Sequence, residues 1–445
     1  MFTYVKLNNY RSLDNVVFDL RESKGKIKKL AAVYGENGCG KSNLIRSFYF
    51  LDMIMHSFDI EKNEIEIAKF LNENNEKELP PTLMEFIKNR TLSNVYSNSR
   101  TIDCSENTRV EYGFKIGNHE GNYVVEFNDK IVYERLYYYT GKQSGVIFEI
   151  SSDSIKMPKF STSIYKTLKI RNELKEAIQK YWGRHSFLSI TYDFLKKMNE
   201  EYINDNISPY LYHFHHMISE TSIALKDANG GVSIDSCKKI NFLSDLEKGD
   251  VSIKNEWLLK NTEKIINDFF TQTYSDIKKV YFETENSGER IKYHLVLYKN
   301  INGKIRLVPI EQESTGTRQI LDVLRSLFGA FCGCTVIIDE VDNGVHDLLL
   351  KVVIDSMKEY ITGQLIFTTH NTSLLESLDP KMVYIINSKY DGTKEIICLS
   401  DFGVQVNNSP RVRYMKGLYG GVPFVDAVDY IEIINNLKIK KGKND

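Results

Sequence analysis

Gly35-Glu36-Asn37-Gly38-Cys39-Gly40-Lys41-Ser42 follows the apolar run Leu30-Ala31-Ala32-Val33-Tyr34. Beyond it, Leu44, Ile45, Phe48, Leu51 and Ile54 recur at helical spacing. The order is strand, glycine loop, helix. The octet fits G-x-x-x-x-G-K-S in the structural context that this pattern requires. Gly35, Gly38 and Gly40 let backbone amides curl around a β-phosphate, and the positive end of the following helix adds to the attraction. Lys41 would reach the β- and γ-phosphates, and Ser42 would hold Mg²⁺. Asn37, Cys39 and Asn43 belong to the same expected ATP-contacting stretch.

Three further elements lie far down the chain. Val336-Ile337-Ile338-Asp339-Glu340 is an apolar strand ending in two carboxylates. Beside a phosphate loop, Asp339 suits the Mg²⁺ shell and Glu340 suits the polarisation of attacking water. Leu365-Ile366-Phe367-Thr368-Thr369-His370-Asn371 ends a second strand in a histidine, which places His370 near a γ-phosphate. Glu313-Ser314-Thr315-Gly316-Thr317 opens the helix before the acidic strand. Ser314 and Gly316 at a helix start suit an anion. The chain already has its own phosphate loop, so this second cradle suits another subunit's nucleotide.

Around these motifs the pattern changes several times. Residues 1–58 read as strands, phosphate loop and helix, and 59–107 as a polar helical insertion broken at Pro80-Pro81. Period-two alternation over 108–160, as in Val110-x-Tyr112-x-Phe114, predicts an antiparallel β subdomain with turns at 118–121 and 128–129. Residues 161–275 read as a helical insertion, with Leu258, Thr262, Ile265 and Phe269 as one apolar stripe. Strands and the alternating α/β motifs return over 276–378, and 379–445 forms a C-terminal segment. Within that segment Tyr414, Leu418, Tyr419 and Phe424 offer anchors for a docking partner, and Lys416, Lys438, Lys440, Lys441 and Lys443 give a basic bias. The helical middle therefore interrupts one α/β domain with a parallel sheet.

The chain has 445 residues, 42% hydrophobic and 26% charged, with Lys+Arg 58 against Asp+Glu 59. These values exclude a disordered or collagenous chain, and the net charge of −1 offers no global basic excess for nucleic acid or membrane. No apolar run is long enough to span a bilayer, and the start lacks a signal-peptide core, so a cytoplasmic protein is expected. Cys39, Cys104, Cys237, Cys332, Cys334 and Cys398 have no framework spacing and read as reduced thiols.

The four motifs, in this order, resemble those of ABC-type ATPases of the SMC, RecF and OLD-nuclease kind. Asn9-Tyr10-Arg11-Ser12-Leu13 looks like the opening of the same group. The resemblance implies an ABC-type P-loop ATPase head, with Ser314 and Gly316 as its signature motif, Asp342 in the loop after the acidic strand and His370 as its switch histidine. The segments 313–317, 339–346 and 368–372, with Tyr419-Gly420-Gly421-Val422-Pro423, are similar to AAA-family ATPases of the RloA/AbiL type in bacterial anti-phage defence. That likeness implies ATP-dependent pairing into a homodimer or higher oligomer. It also implies a separate nuclease effector, Toprim-type among the candidates, with nucleic acid as a further partner. A RecF/SMC-like DNA-repair ATPase acting at DNA ends or gaps is the alternative. The signature reads Ser-Thr-Gly rather than the transporter Ser-Gly-Gly, and no long heptads for a coiled coil appear.

Overall fold

Strand β3 (Leu30–Tyr34) is buried along its whole length because both of its faces are covered, as a continuous apolar run demands. The computed structural model describes residues 1–74, 91–226, 232–234, 240–403, 409–422, 430, 431, 433 and 434. The Pro80-Pro81 break, Cys237, Pro423, Phe424 and the lysines from 438 onward lie outside these described residues.

Among the described residues there are three sheets. The first is antiparallel: β1 (Phe2–Asn8), β2 (Val16–Asp19), β4 (Thr108–Ile116), β5 (His119–Phe127), β6 (Ile131–Tyr139), β7 (Ser144–Ser151) and β8 (Lys159–Phe160), in spatial order 2-1-4-5-6-7-8. The first two strands, grouped with the phosphate loop on sequence, thus hydrogen-bond into the β subdomain; Val5 pairs with Tyr112. The β4–β5 turn falls at Gly117-Asn118, where Gly117 has φ 59°, earlier than the 118–121 stretch suggested.

The central sheet has the order β10-β9-β15-β16-β3-β17-β18, formed by β9 (Thr221–Leu225), β10 (Val232–Ile234), β15 (Thr335–Ile338), β16 (Gln364–Thr368), β17 (Val383–Ser388) and β18 (Lys394–Cys398) around β3. From β9 to β17 all neighbours are parallel. Strand β9 interrupts the stretch 161–275, which the sequence reads as a mostly helical insertion. It is only five residues long and directly follows the helix Tyr210–Ser219, so no turn signal separates it. The third sheet joins β11 (Lys248–Ser252), β12 (Ile277–Ser287), β13 (Arg290–Ile301) and β14 (Lys304–Pro309), with β13 central.

The alternation along the central strands sorts two cores. Ala31, Val33, Ile337 and Ile366 face helix α1 (Lys41–Met55), which is sandwiched against the antiparallel sheet. Leu30, Ala32, Val336, Ile338, Leu365 and Phe367 face the helices Glu256–Thr273, Thr315–Phe331 and Asp347–Met357. The first of these buries Leu259, Thr262, Ile266 and Phe270, so its apolar stripe lies one position beyond the expected one at three of four residues. Gln364 stitches the ends of the chain together. Its side chain accepts from Phe2 N at 2.8 Å and donates to Phe2 O at 2.9 Å across 362 positions. The chain is thus an α/β protein with a strand–glycine loop–helix unit in a parallel core, an antiparallel β subdomain and a helical region over 168–219.

Cys39, Cys104, Cys332 and Cys398 are free thiols, but Cys334 is disulfide-bonded. This departs from an all-reduced set; pairing depends on which segments the fold brings together, which cysteine spacing does not reveal. No described helix is long and apolar enough to cross a membrane.

Candidate functional site

The glycine loop leaves β3 and enters α1 through Gly40, whose φ of 108° is open only to glycine. A Cβ there would meet Leu13 Cδ2 at 2.8 Å and Ser12 Oγ at 3.2 Å. The Asn9–Leu13 turn therefore sits against the start of α1, where Asn43 Nδ2 donates to Ser12 Oγ at 2.7 Å. Lys41 curls back over the loop, donating to Gly35 O at 2.8 Å and Glu36 O at 3.0 Å. Burial pushes its ammonium below the usual lysine range, although Glu340, Asp339 and Asp342 pull the other way. A buried cation answered only by carbonyls and distant carboxylates is poised for a phosphate. Cys39 is buried beneath the loop, its thiol pushed up by burial, and Lys394 Nζ donates to Gly38 O at 3.1 Å. Asn37 sits at the loop's surface.

The acidic strand lands beside this loop. Asp339 is buried, and burial raises its carboxyl, opposed by hydrogen bonds from Thr368 and Ser42. Ser42 and Asp339 together offer the hard oxygen pair that Mg²⁺ takes alongside phosphate and water oxygens, so the donor set fits that ion. Thr368 Oγ1 accepts from Glu340 N at 2.7 Å, and Thr368 O accepts from Val341 N at 3.0 Å. Glu340 itself adopts φ 51°, a left-handed conformation that is strained for a glutamate. The backbone thus turns sharply after Asp339, sending the two acids to different places.

His370 follows directly from β16. Its amide donates to Asp342 Oδ2 at 2.8 Å, tying it to the loop after the acidic strand. Burial and then the charge of Lys41 lower its imidazole, so the ring is mainly neutral near pH 7 and can both donate and accept. Lys41, Ser42, Asp339, Glu340, Asp342 and His370 thereby share one locality.

One member has no sequence signal. Lys226, just past β9, pairs its ammonium with Glu340 Oε2 and donates to Asn343 Oδ1 at 3.3 Å. Only the parallel pairing of β9 with β15 brings it there.

Ser314 and Gly316 are placed differently. Ser314 caps the Thr315–Phe331 helix, accepting from Thr317 N at 3.1 Å. A Cβ on Gly316 would meet Gly344 O at 2.7 Å, so this helix start packs on the loop after the acidic strand. No hydrogen bond or ion pair joins Ser314 or Gly316 to the phosphate loop among the described residues. Ser314 is exposed to solvent.

The C-terminal anchors divide. Tyr414 and Tyr419 are 6% and 2% exposed and belong to the core, whereas Leu418 is exposed. Two of the aromatic side chains expected to dock a partner are therefore spent within the fold; the glycines around them reverse the chain and tuck the rings inward.

Residues 222–376 match the domain family described as "AAA domain, putative AbiEii toxin, Type IV TA system". The match runs from β9 through the acidic strand to the turn beyond His370. No curated protein matches the chain. Among solved structures, it is similar to the SMC head bound to the C-winged helix domain of ScpA, at 14% identity, covering 89% of this chain and 96% of that one, TM-score 0.41. It is also similar to the SMC head domain from Thermotoga maritima, at 13% identity, covering 91% and 99%, TM-score 0.36. A third is the Smc head domain with an extended coiled coil bound to the C-terminal domain of ScpA derived from Pyrococcus furiosus. There the identity is 15%, the coverage 94% and 99%, and the TM-score 0.37.

Proposed function

We propose that this chain is an ABC-type ATPase that binds ATP with Mg²⁺, pairs with a second copy around the nucleotide and hydrolyses it to ADP and phosphate. The observation that carries the reading is the convergence of Lys41, Ser42 and Asp339 beneath Glu340, with Asp339 and the Glu340 amide both held by Thr368. Lys41 exchanges its carbonyl partners for phosphate oxygens. Mg²⁺ between Ser42 and Asp339 would neutralise charge on the β- and γ-phosphates. Glu340 takes the proton from the attacking water, and His370 contacts the γ-phosphate. The exposed Ser314, with Gly316 beside it, serves the nucleotide of the other protomer.

The pairing supports a controlling role, in which ATP state governs a separate nuclease-type effector, of Toprim type among the candidates, in bacterial antiviral defence in the cytoplasm. The match over 222–376 and the likeness of the motifs to RloA/AbiL ATPases support this reading. Light scattering with ATP and Mg²⁺ tests the pairing. Glu340→Gln, which retains ATP, is expected to double in mass, and Ser314→Arg to stay single. Identical masses for both variants and wild type, with turnover also unchanged, would sink it. Purified chain should leave plasmid DNA and transfer RNA intact with ATP and Mg²⁺ or Mn²⁺. Cutting by this chain alone would contradict a separate effector.

A further inference from the structure

The helix Pro410–Met415 and the turn after it form a strap that reaches the first residue of the phosphate loop. Tyr414 lies edge-on to Tyr34, the last residue of β3, with ring centroids 5.7 Å apart. Its hydroxyl donates to Gly421 O at 2.9 Å. One buried hydroxyl thus holds the strap's returning carbonyl, at the residue whose Cα side lies against Gly35.

The turn is shaped for this approach. Gly420 and Gly421 have φ 70° and 69°. A Cβ on Gly421 would meet Ile385 Cγ2 at 2.6 Å and Gly35 Cα at 3.4 Å, and one on Gly420 would meet Asn387 Oδ1 at 2.5 Å. On its other side Gly35 abuts β17, where its own Cβ would meet Ile386 O at 2.8 Å. The far end of the strap is pinned by Arg411, which donates to Thr372 Oγ1 at 3.2 Å and Glu376 Oε1 at 3.1 Å. The Gly35 carbonyl is one of the two that hold Lys41.

We infer that Tyr414 and Gly421 are positioning residues for nucleotide binding: through Gly35 they fix the peptide from which Lys41 is delivered to the phosphates. The inference rests on the ATP-binding reading. The strap acts on affinity and not on the water-activating end of the site: it meets the phosphate loop at Gly35, and among the described residues no hydrogen bond or ion pair joins it to Glu340.

The test measures dissociation of a fluorescent ATP analogue with Mg²⁺, steady-state kcat and KM, and melting temperature without nucleotide. Tyr414→Phe keeps the ring and removes the donor to Gly421 O, loosening the seat of Gly421 against Gly35. It is expected to raise Kd and KM roughly tenfold, with kcat changed by less than about twofold. Gly421→Ala is expected to do more, and Leu418→Ser on the exposed side of the strap to leave Kd unchanged. A purely structural strap would lower the melting temperature of Tyr414→Phe and leave Kd alone; that result overturns the inference. Should Gly421→Ala fail to fold, Tyr414→Phe decides. Failure of the wild-type chain itself to bind the analogue would instead remove the ATP-binding reading.

Discussion

Thr368 donates its hydroxyl hydrogen to Asp339 Oδ1 at 2.7 Å, from the end of one central strand to the end of the next. The same oxygen accepts the Glu340 amide, so a single hydroxyl holds Asp339 and the strained residue beside it. Thr368→Val keeps the shape and removes both bonds. It is expected to cost about 1–3 kcal/mol of stability and to slow turnover about tenfold or more, with Thr368→Ser close to wild type. Urea unfolding and ATPase assays on both variants check this; a Val variant with wild-type turnover counts against the bridge.

Lys41→Ala removes the only ammonium inside the loop. Two or three decades of turnover are expected to disappear, each decade being ~1.4 kcal/mol of barrier. An unchanged Mg²⁺-dependent rate in the purified variant would contradict the phosphate site.

Lys226 competes with water for the Glu340 carboxylate. The backbone of Glu340 is already fixed by Thr368 and by Asn343 N, which donates to Glu340 O at 2.9 Å, so the lysine is not needed to aim it. Lys226→Met is therefore expected to raise kcat a few-fold at saturating ATP, with stability altered by less than about 1 kcal/mol because the pair is partly exposed. A tenfold fall in kcat would show instead that the ammonium acts on the phosphates.

A second buried acid sets a pH dependence far from the nucleotide. Glu134 accepts hydrogen bonds from Tyr123, Trp182 and the amides of Phe187 and Leu188. Burial nonetheless outweighs these donors and raises its carboxyl from about 4.5 to about 7. The folded state therefore binds this proton more tightly than the unfolded chain. The stability it contributes is full below pH 4.5 and is lost as pH rises to about 7, on the order of 3 kcal/mol. Urea midpoints between pH 5 and pH 8 should fall for wild type and lose that component in Glu134→Gln. An identical slope in the variant would assign the dependence to other groups.

The glycine loop, Asp339, Glu340 and His370 are legible in the sequence because each terminates a continuous apolar run, which a parallel strand buried on both faces requires. Lys226 is not. It follows a five-residue strand without a turn before it, and its pairing with Glu340 spans 114 positions. The tail misleads for a related reason: Tyr414 and Tyr419 stand in a short segment of mixed polar, apolar and glycine residues, and their burial comes from a core built elsewhere in the chain, Tyr34 and Phe402 among its members. The one-position offset in the Glu256–Thr273 helix arises because adjacent apolar pairs, Leu258-Leu259, Ile265-Ile266 and Phe269-Phe270, satisfy helical periodicity in either register.

The seat of β3 between β16 and β17 also bears on biosynthesis. The ribosome makes β3 early and both of its neighbours late. At roughly 5–20 residues per second the interval is on the order of tens of seconds. Throughout it, both edges of an apolar strand wait unpaired, which invites chaperone attention to the nascent chain and makes the central sheet slow to form. A chain stalled before β17 would carry β3 as an edge strand, and its glycine loop would lack the β17 backbone against which Gly35 packs. On the ATP-binding reading, nucleotide binding would then report that synthesis has passed β17.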